Sequence, residues 1–139
     1  MRAELPVVAL LERDVSTVGA IRAQLGDSGL LHLIRAAAPE QAVAEALAYR
    51  ADVLIIDLPG TDPVALAPLR AISARAGNLA ILALIDRDSF ASCGEVFVAG
   101  ADEVMPNTGF NQAGLACALH AAVARRAADP AHRAKSAFL

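Results

Sequence analysis

The chain has 139 residues, of which 56% are hydrophobic and 4% aromatic, so it fits a single domain with an aliphatic core. No apolar run approaches the roughly 18 residues that a membrane helix needs, and the N-terminus lacks the features of a signal peptide. Residues 1–124 carry a net charge of −6 and residues 125–139 a net charge of +3. These features predict a cytoplasmic domain over residues 1–126 that binds neither membrane nor nucleic acid, followed by a basic tail or linker start at 127–139.

Five apolar segments have the length and composition of buried strands. In chain order they are residues 5–11, 30–34, 53–56, 79–85 and 101–105. Each is followed by a stretch of helical periodicity. The apolar residues expected to face the core are Val18, Ile21 and Leu25 in the first helix, Val43, Ala46 and Leu47 in the second, Leu66, Leu69 and Ile72 in the third, and Leu115, Leu119 and Val123 in the fifth. The fourth helix, residues 88–99, is weaker because a glycine interrupts it.

Several helix ends carry recognisable signals. Pro39 opens the second helix at its favoured first position, Asp62 caps the third ahead of a proline, and Asn111 caps the fifth. Residues 27–29 close the first helix and Gly100 stops the fourth. The two cysteines, in the fourth and fifth helices, are too few for a disulfide framework or a zinc site and are expected to be buried as small hydrophobic residues.

Near-continuous apolar strands that alternate with amphipathic helices imply a parallel sheet covered on both faces. Right-handed crossovers then give an α/β, doubly wound, five-stranded sheet. In such folds, ligands and chemistry lie beyond the carboxyl ends of the strands. Glu12, Arg13 and Asp14 follow the first strand and Asp57 ends the third. A carboxylate after strand one beside an aspartate after strand three suits Mg²⁺, which prefers oxygen ligands.

Two segments resemble a known family. ADVLIIDLPGTD (residues 51–62) and AGADEV (residues 99–104) are similar to the acceptor-aspartate segment, and to the segment that precedes a lysine, in the receiver domains of two-component response regulators. The resemblance covers residues 5 to about 126. It implies a flavodoxin-like (βα)5 fold with strand order 2-1-3-4-5. It also implies a role in phosphorelay signal transduction, and no catalytic constellation in the chain indicates an enzyme.

The resemblance also implies a role for each residue at a strand end. Asp57 falls at the phosphoacceptor position and Glu12 at one of two Mg²⁺-binding acids. Arg13 replaces the second acid, and Asp14 is a candidate substitute. The hydroxyl, lysine and aromatic switch positions of the family fall on Ile85, Asn107 and Val104. Lys135, in the tail, is the only lysine of the chain.

Arg13 changes the expected chemistry of this site. Two unit charges about 4 Å apart interact by roughly 4 kcal/mol at an effective dielectric constant near 20, so a guanidinium in place of an acid should weaken Mg²⁺ binding severely. Arg13 could instead pair with Asp57 or Glu12, or point to solvent. Structural alternatives remain open for the others: Asp57 as a strand-end cap, Glu12 as a solvated acid, and Asn107 as a turn residue.

These observations favour a degenerate, or pseudo-, receiver that signals by protein–protein contact. The partners implied by the resemblance are a histidine kinase or a downstream output domain, with a homodimer through the face of the fourth helix, fifth strand and fifth helix. One alternative is a phosphorylation-competent, Mg²⁺-dependent receiver. Another is a small-molecule-binding flavodoxin-like domain, although no glycine-rich phosphate loop follows the first strand.

Overall fold

The computed structural model describes residues 5–25, 30–36 and 38–129. The predicted turn at 27–29 and most of the predicted tail, residues 130–139, lie outside that part of the chain. The elements in order are β1 (Val8–Leu11), α1 (Val15–Leu25), β2 (Leu31–Ile34), α2 (Pro39–Ala48), β3 (Val53–Asp57), α3 (Pro63–Arg75), β4 (Ala80–Ile85), a 3₁₀ helix (Arg87–Ser92), α4 (Cys93–Val98), β5 (Glu103–Pro106) and α5 (Gln112–Ala128).

The strands form one parallel sheet in the order β2-β1-β3-β4-β5. This order confirms the predicted doubly wound, flavodoxin-like fold. Asp57 lies opposite Leu84 of β4, and Ile85 lies opposite Pro106 of β5. The carboxyl ends of the central strands therefore meet at one edge of the sheet, where the candidate residues were predicted to be.

The sheet separates two hydrophobic clusters. Side chains of β3 alternate between them: Leu54 and Ile56 contact the cluster under α2, α3 and α4, whereas Val53 and Ile55 contact the cluster under α1 and α5. Every residue of β3 and β4 is buried. This is the burial that a central parallel strand requires, and it explains why both segments are almost uninterrupted apolar runs.

The predicted helix ends are confirmed at three places. Helix α2 begins at Pro39. The Asp62 side chain accepts a hydrogen bond from the backbone N–H of Ala65 at 2.8 Å, and Asn111 accepts one from Gly114 at 2.7 Å. None of the helices in the described ranges is long and apolar enough to cross a membrane.

Gly100 follows α4 with φ at +122°, a conformation that favours glycine. A Cβ there would collide with the Ser73 side chain of α3. Close packing against α3 is therefore a second reason for a glycine at the predicted end of this helix.

Two predictions about burial are wrong. Leu47 is 51% exposed, and α2 buries Ala42 beside Val43 and Ala46 instead, because the inward stripe of this helix lies one residue earlier than expected. Cys117 is exposed because it lies two positions after the buried Leu115, which is the opposite side of a helix with 3.6 residues per turn. The fourth helix is also shorter than predicted, since a 3₁₀ helix replaces its first half.

Candidate functional site

Asp57 is the last residue of β3, and only 4% of it is exposed. Its strand lies between β1 and β4 at the centre of the sheet. A buried carboxylate is costly unless it is paired and hydrogen-bonded. The groups that contact Asp57 therefore determine what this site can do.

The Arg13 guanidinium binds Asp57 through two different groups. Its Nη2 lies 3.2 Å from the Asp57 Oδ2, and its Nε donates a hydrogen bond to the Asp57 carbonyl oxygen at 2.9 Å. The Arg13 side chain is 42% exposed, whereas that of Asp57 is 1% exposed. Of the arrangements open from the sequence, the structure has the one in which Arg13 pairs with Asp57.

Thr17 is a second partner, which the sequence reasoning missed. Its Oγ1 donates to the Asp57 Oδ2 at 3.0 Å. The inner stripe of α1 is Thr17, Ile21 and Leu25, spaced four residues apart. A polar residue four positions before Ile21 was the available signal, because residues i and i+4 share a helix face.

The two oxygens of the Asp57 carboxylate differ sharply. Oδ2 receives both Arg13 and Thr17, whereas Oδ1 is buried and has no hydrogen-bond partner in the described part of the chain. Leaving a buried acceptor unsatisfied costs about 1–3 kcal/mol. Among the described residues, the Asp57 carboxylate therefore has one oxygen without a donor, Oδ1, beside one that binds two groups, Oδ2.

Glu12 is held by a different cation. Its Oε2 accepts from the Nε of Arg35, just beyond β2, at 2.7 Å. This hydrogen bond, reinforced by the charge of Glu12, raises the pKa of Arg35. The Glu12 carboxylate is thus committed to an ion pair in this structure.

Asp14 caps helix α1. Its Oδ1 accepts from the hydroxyl of Ser16 at 2.7 Å and from the backbone N–H of Ser16 at 2.9 Å. These two hydrogen bonds, in that order, lower the pKa of Asp14. The predicted substitute acid therefore has a local structural role at the start of the helix.

The donor set does not fit a Mg²⁺ ion as it stands. Asp57 is already bound by Arg13, Glu12 is bound by Arg35, and Asp14 accepts from Ser16 at the start of α1. Across residues 5–25, 30–36 and 38–129, no three His, Cys, Asp or Glu side chains are grouped to hold a metal. Mg²⁺ demands near-octahedral oxygen ligands, and the guanidinium stands where an acid is required.

The other predicted site residues lie in or just after β4 and β5. Ile85 and Val104 are 1% and 6% exposed and belong to the same hydrophobic cluster. The backbone N–H of Asn107 donates to the carbonyl of Ile85 at 2.8 Å. The hydroxyl and aromatic positions of the resembled family are thus filled by core side chains, and Asn107 ties the two strand ends together.

No protein-family model and no curated protein sequence gives a significant match to this chain. Solved structures do match it in fold. A protein from Burkholderia pseudomallei that is described as pilus assembly-related has 22% identity and a TM-score of 0.65, over 85% of this chain and 89% of its own.

Two further structural neighbours are receiver-like signalling proteins by name. The Vibrio cholerae chemotaxis protein CheY4 has 24% identity and a TM-score of 0.62, over 86% of this chain and 99% of its own. The signal receiver domain of a diguanylate cyclase from Desulfovibrio desulfuricans has 16% identity and a TM-score of 0.65, over 89% and 98%. The chain therefore has the CheY-like receiver fold.

Proposed function

We propose that this chain is a pseudo-receiver: a receiver-like module of two-component signalling that acts through contact with another protein. The observation that carries the proposal is the Arg13 guanidinium bound to Asp57. An arginine stays protonated at any physiological pH, so the charge of the candidate acceptor is already balanced by a group of its own chain.

The chemistry of phosphoryl transfer supports this reading. Transfer to a carboxylate depends on neutralising the charge that is spread over the equatorial phosphoryl oxygens. Ile85 offers no donor, and Asn107 offers only a neutral amide at the lysine position. Arg13 already binds the Asp57 Oδ2. A phosphoryl donor would have to displace this contact and would find few groups to stabilise its charge.

The protein contact has one candidate surface and one favoured class of partner. The receiver domain of a diguanylate cyclase among the neighbours supports a downstream output domain as the partner, with a histidine kinase as the family's other expected contact. Phe97 of α4 is 37% exposed, and the Arg125 guanidinium of α5 lies 5.7 Å from its ring centre, which places Phe97 on the face of α4, β5 and α5. Phe90, in the preceding 3₁₀ helix, is also 37% exposed. Val104, Leu115 and Leu119 belong to the core.

A homodimer through the α4–β5–α5 face is part of the proposal and has its own test. The Phe97→Asp substitution changes a residue of this face that is 37% exposed, and Val98→Asp, on the side of α4 that faces α3, is the control. We expect Phe97→Asp to convert a dimer to a monomer in analytical ultracentrifugation. A wild-type chain that is monomeric at 100 μM would remove the homodimer from the proposal.

The second candidate is a role of the same domain in pilus assembly. It is favoured by the fold likeness to the Burkholderia pseudomallei protein, which extends over 89% of that chain. Deletion of the gene in its host should then abolish surface pili, counted by electron microscopy. Normal piliation would exclude this role.

The main test is a Mg²⁺ titration with and without beryllofluoride, followed by amide chemical shifts. We expect no site-specific change in the wild type at millimolar Mg²⁺. The Arg13→Asp variant, which restores an acid, should gain saturable shifts around Asp57 and Glu12. Arg75→Asp is the matched control, because Arg75 is an exposed arginine in the last turn of α3 and its substitution makes the same charge change away from Glu12, Arg13 and Asp57.

Saturable shifts around Asp57 and Glu12 in the wild type would refute the pseudo-receiver proposal. The phosphorylation-competent receiver would then be the better account. The Asp57→Asn variant should abolish any such response in either background, which ties the signal to the candidate acceptor.

A further inference from the structure

An open depression of about 700 Å³ lies beside Asp57. It extends from the ends of β1 and β3 to the first two turns of α3. Its walls are mainly apolar and include Leu11, Leu58, Pro59, Val64 and Pro68. Sites of this size and character commonly hold small molecules, and the depression lies at the edge of the sheet where doubly wound folds place their ligands.

The charged residues of the depression are mostly acidic. Glu12, Asp57 and Asp62 line it together with one cation, Arg13. Arg35 compensates Glu12 and Arg13 compensates Asp57. Within the described residues, no cation forms an ion pair with Asp62, whose only hydrogen bond there caps α3. The depression therefore carries a surplus of negative charge beside apolar walls.

Asp57 supplies a specific reason for a ligand. Its side chain is 1% exposed, and its Oδ1 is buried with no hydrogen-bond partner among the described residues. Buried polar atoms of this kind are rare in folded proteins and call for an explanation. A group with two N–H donors could satisfy both carboxylate oxygens at once, whereas the Arg13 geometry uses Oδ2 and the backbone carbonyl.

We propose that this depression binds a small organic cation: an amine, amidine or guanidine on an apolar body. The charged group donates to the Asp57 carboxylate in place of Arg13, and the apolar body lies against Val64 and Pro68 of α3. Arg13, being 42% exposed, can turn outward to solvent. The inference does not depend on the signalling role proposed above, because it concerns only the occupant of this depression.

The probe is benzamidine, which has two parallel N–H donors on an aromatic ring, and its uncharged analogue benzamide is the control. Binding is measured by amide chemical shifts and calorimetry. We expect benzamidine to shift the amides of Leu58, Gly60 and Val64 saturably, and benzamide to bind at least tenfold more weakly. Arg13→Ala should bind benzamidine at least tenfold more tightly, because the internal competitor is gone.

Two carboxylate variants complete the test. Asp57→Asn should bind benzamidine at least tenfold more weakly, and Asp62→Asn, which keeps a capping side chain, should bind it two- to fivefold more weakly. Equal binding of benzamide and benzamidine, shifts outside the depression, or unchanged affinity in Arg13→Ala would each overturn the proposal. The Mg²⁺ and beryllofluoride titration is carried out without benzamidine, so failure of the proposed function can be distinguished from failure of benzamidine binding.

Discussion

Replacing Arg13 by alanine should destabilise the folded domain by about 2 kcal/mol. At the observed 3.2 Å between Nη2 and Oδ2, Coulomb's law gives about 5 kcal/mol at an effective dielectric constant of 20. The Arg13 side chain is 42% exposed, so solvent screens much of this attraction, and exposed pairs contribute less than 1 kcal/mol. A half-exposed arginine on a buried carboxylate should lie between these limits. The hydrogen bond to the Asp57 carbonyl is included in this figure.

The assay is urea unfolding of a double-mutant cycle made of Arg13→Ala, Asp57→Asn and the double variant. We expect Arg13→Ala alone to be costly, because it leaves Asp57 charged, buried and held only by Thr17. The double variant should recover at least 1 kcal/mol of that loss, since no buried charge remains. Arg22→Ala, which removes an exposed arginine of α1, should change stability by less than about 0.5 kcal/mol. A coupling free energy below about 0.3 kcal/mol would refute the reasoning.

Three further predictions concern Thr17, Asp102 and Asn111. Thr17→Val keeps the shape of a buried side chain but removes the donor to Asp57, so the free energy of unfolding in urea should fall by about 1 kcal/mol. Thr17→Ser keeps the donor and loses one buried methyl group, worth about 0.8 kcal/mol, so it measures the packing contribution separately, and unchanged stability in Thr17→Val would contradict the prediction. Burial raises the pKa of Asp102, and this effect outweighs the hydrogen bond from Ile81 and the charge of Arg126, which both lower it. As the pH falls, the Asp102 carboxylate is therefore protonated at a higher pH in the folded state than in the unfolded state. As pH falls from 7 toward 4, the wild type should therefore gain stability relative to Asp102→Asn, and a constant or opposite difference across that range would contradict the assignment. Asn111→Ala removes the cap of α5 and should cost about 1 kcal/mol, while Asn111→Asp should cost little; equal melting temperatures for all three proteins would show that the cap is not stabilising.

The fold was predictable because the hydrophobic periodicity and the capping residues at the helix ends indicated the same elements along the chain. The five strands are short apolar runs, and a β3 segment such as VLIID cannot be an exposed strand or an amphipathic helix. Element starts were less predictable. Strand β5 begins at Glu103 instead of residue 101, because the backbone N–H of Ile81 binds the Asp102 side chain and the ladder forms beyond that contact.

The candidate site was predictable only in part. Position in the fold is enough to bring Arg13 to Asp57, since β1 and β3 are neighbours whose carboxyl ends meet. Sequence position alone left Glu12 as an equally good partner for Arg13, and the structure pairs Glu12 with Arg35 instead. Thr17 was missed because a threonine in a helix is usually solvent-exposed, and the sequence does not show that a buried carboxylate lies beside it.

Helix α5 is capped at its start and bound to other elements near its end. Asn111 caps the start, and near the other end Arg126 is only 9% exposed and donates to the carbonyls of Gly77 and Ser73. Seventeen residues at 1.5 Å each make a rod of about 25 Å. Through Arg126, the end of α5, which covers one face of the sheet, is tied to the end of α3, which covers the other. The two helical layers are therefore joined directly around the amino-terminal edge of the sheet, and not only through the strands between them.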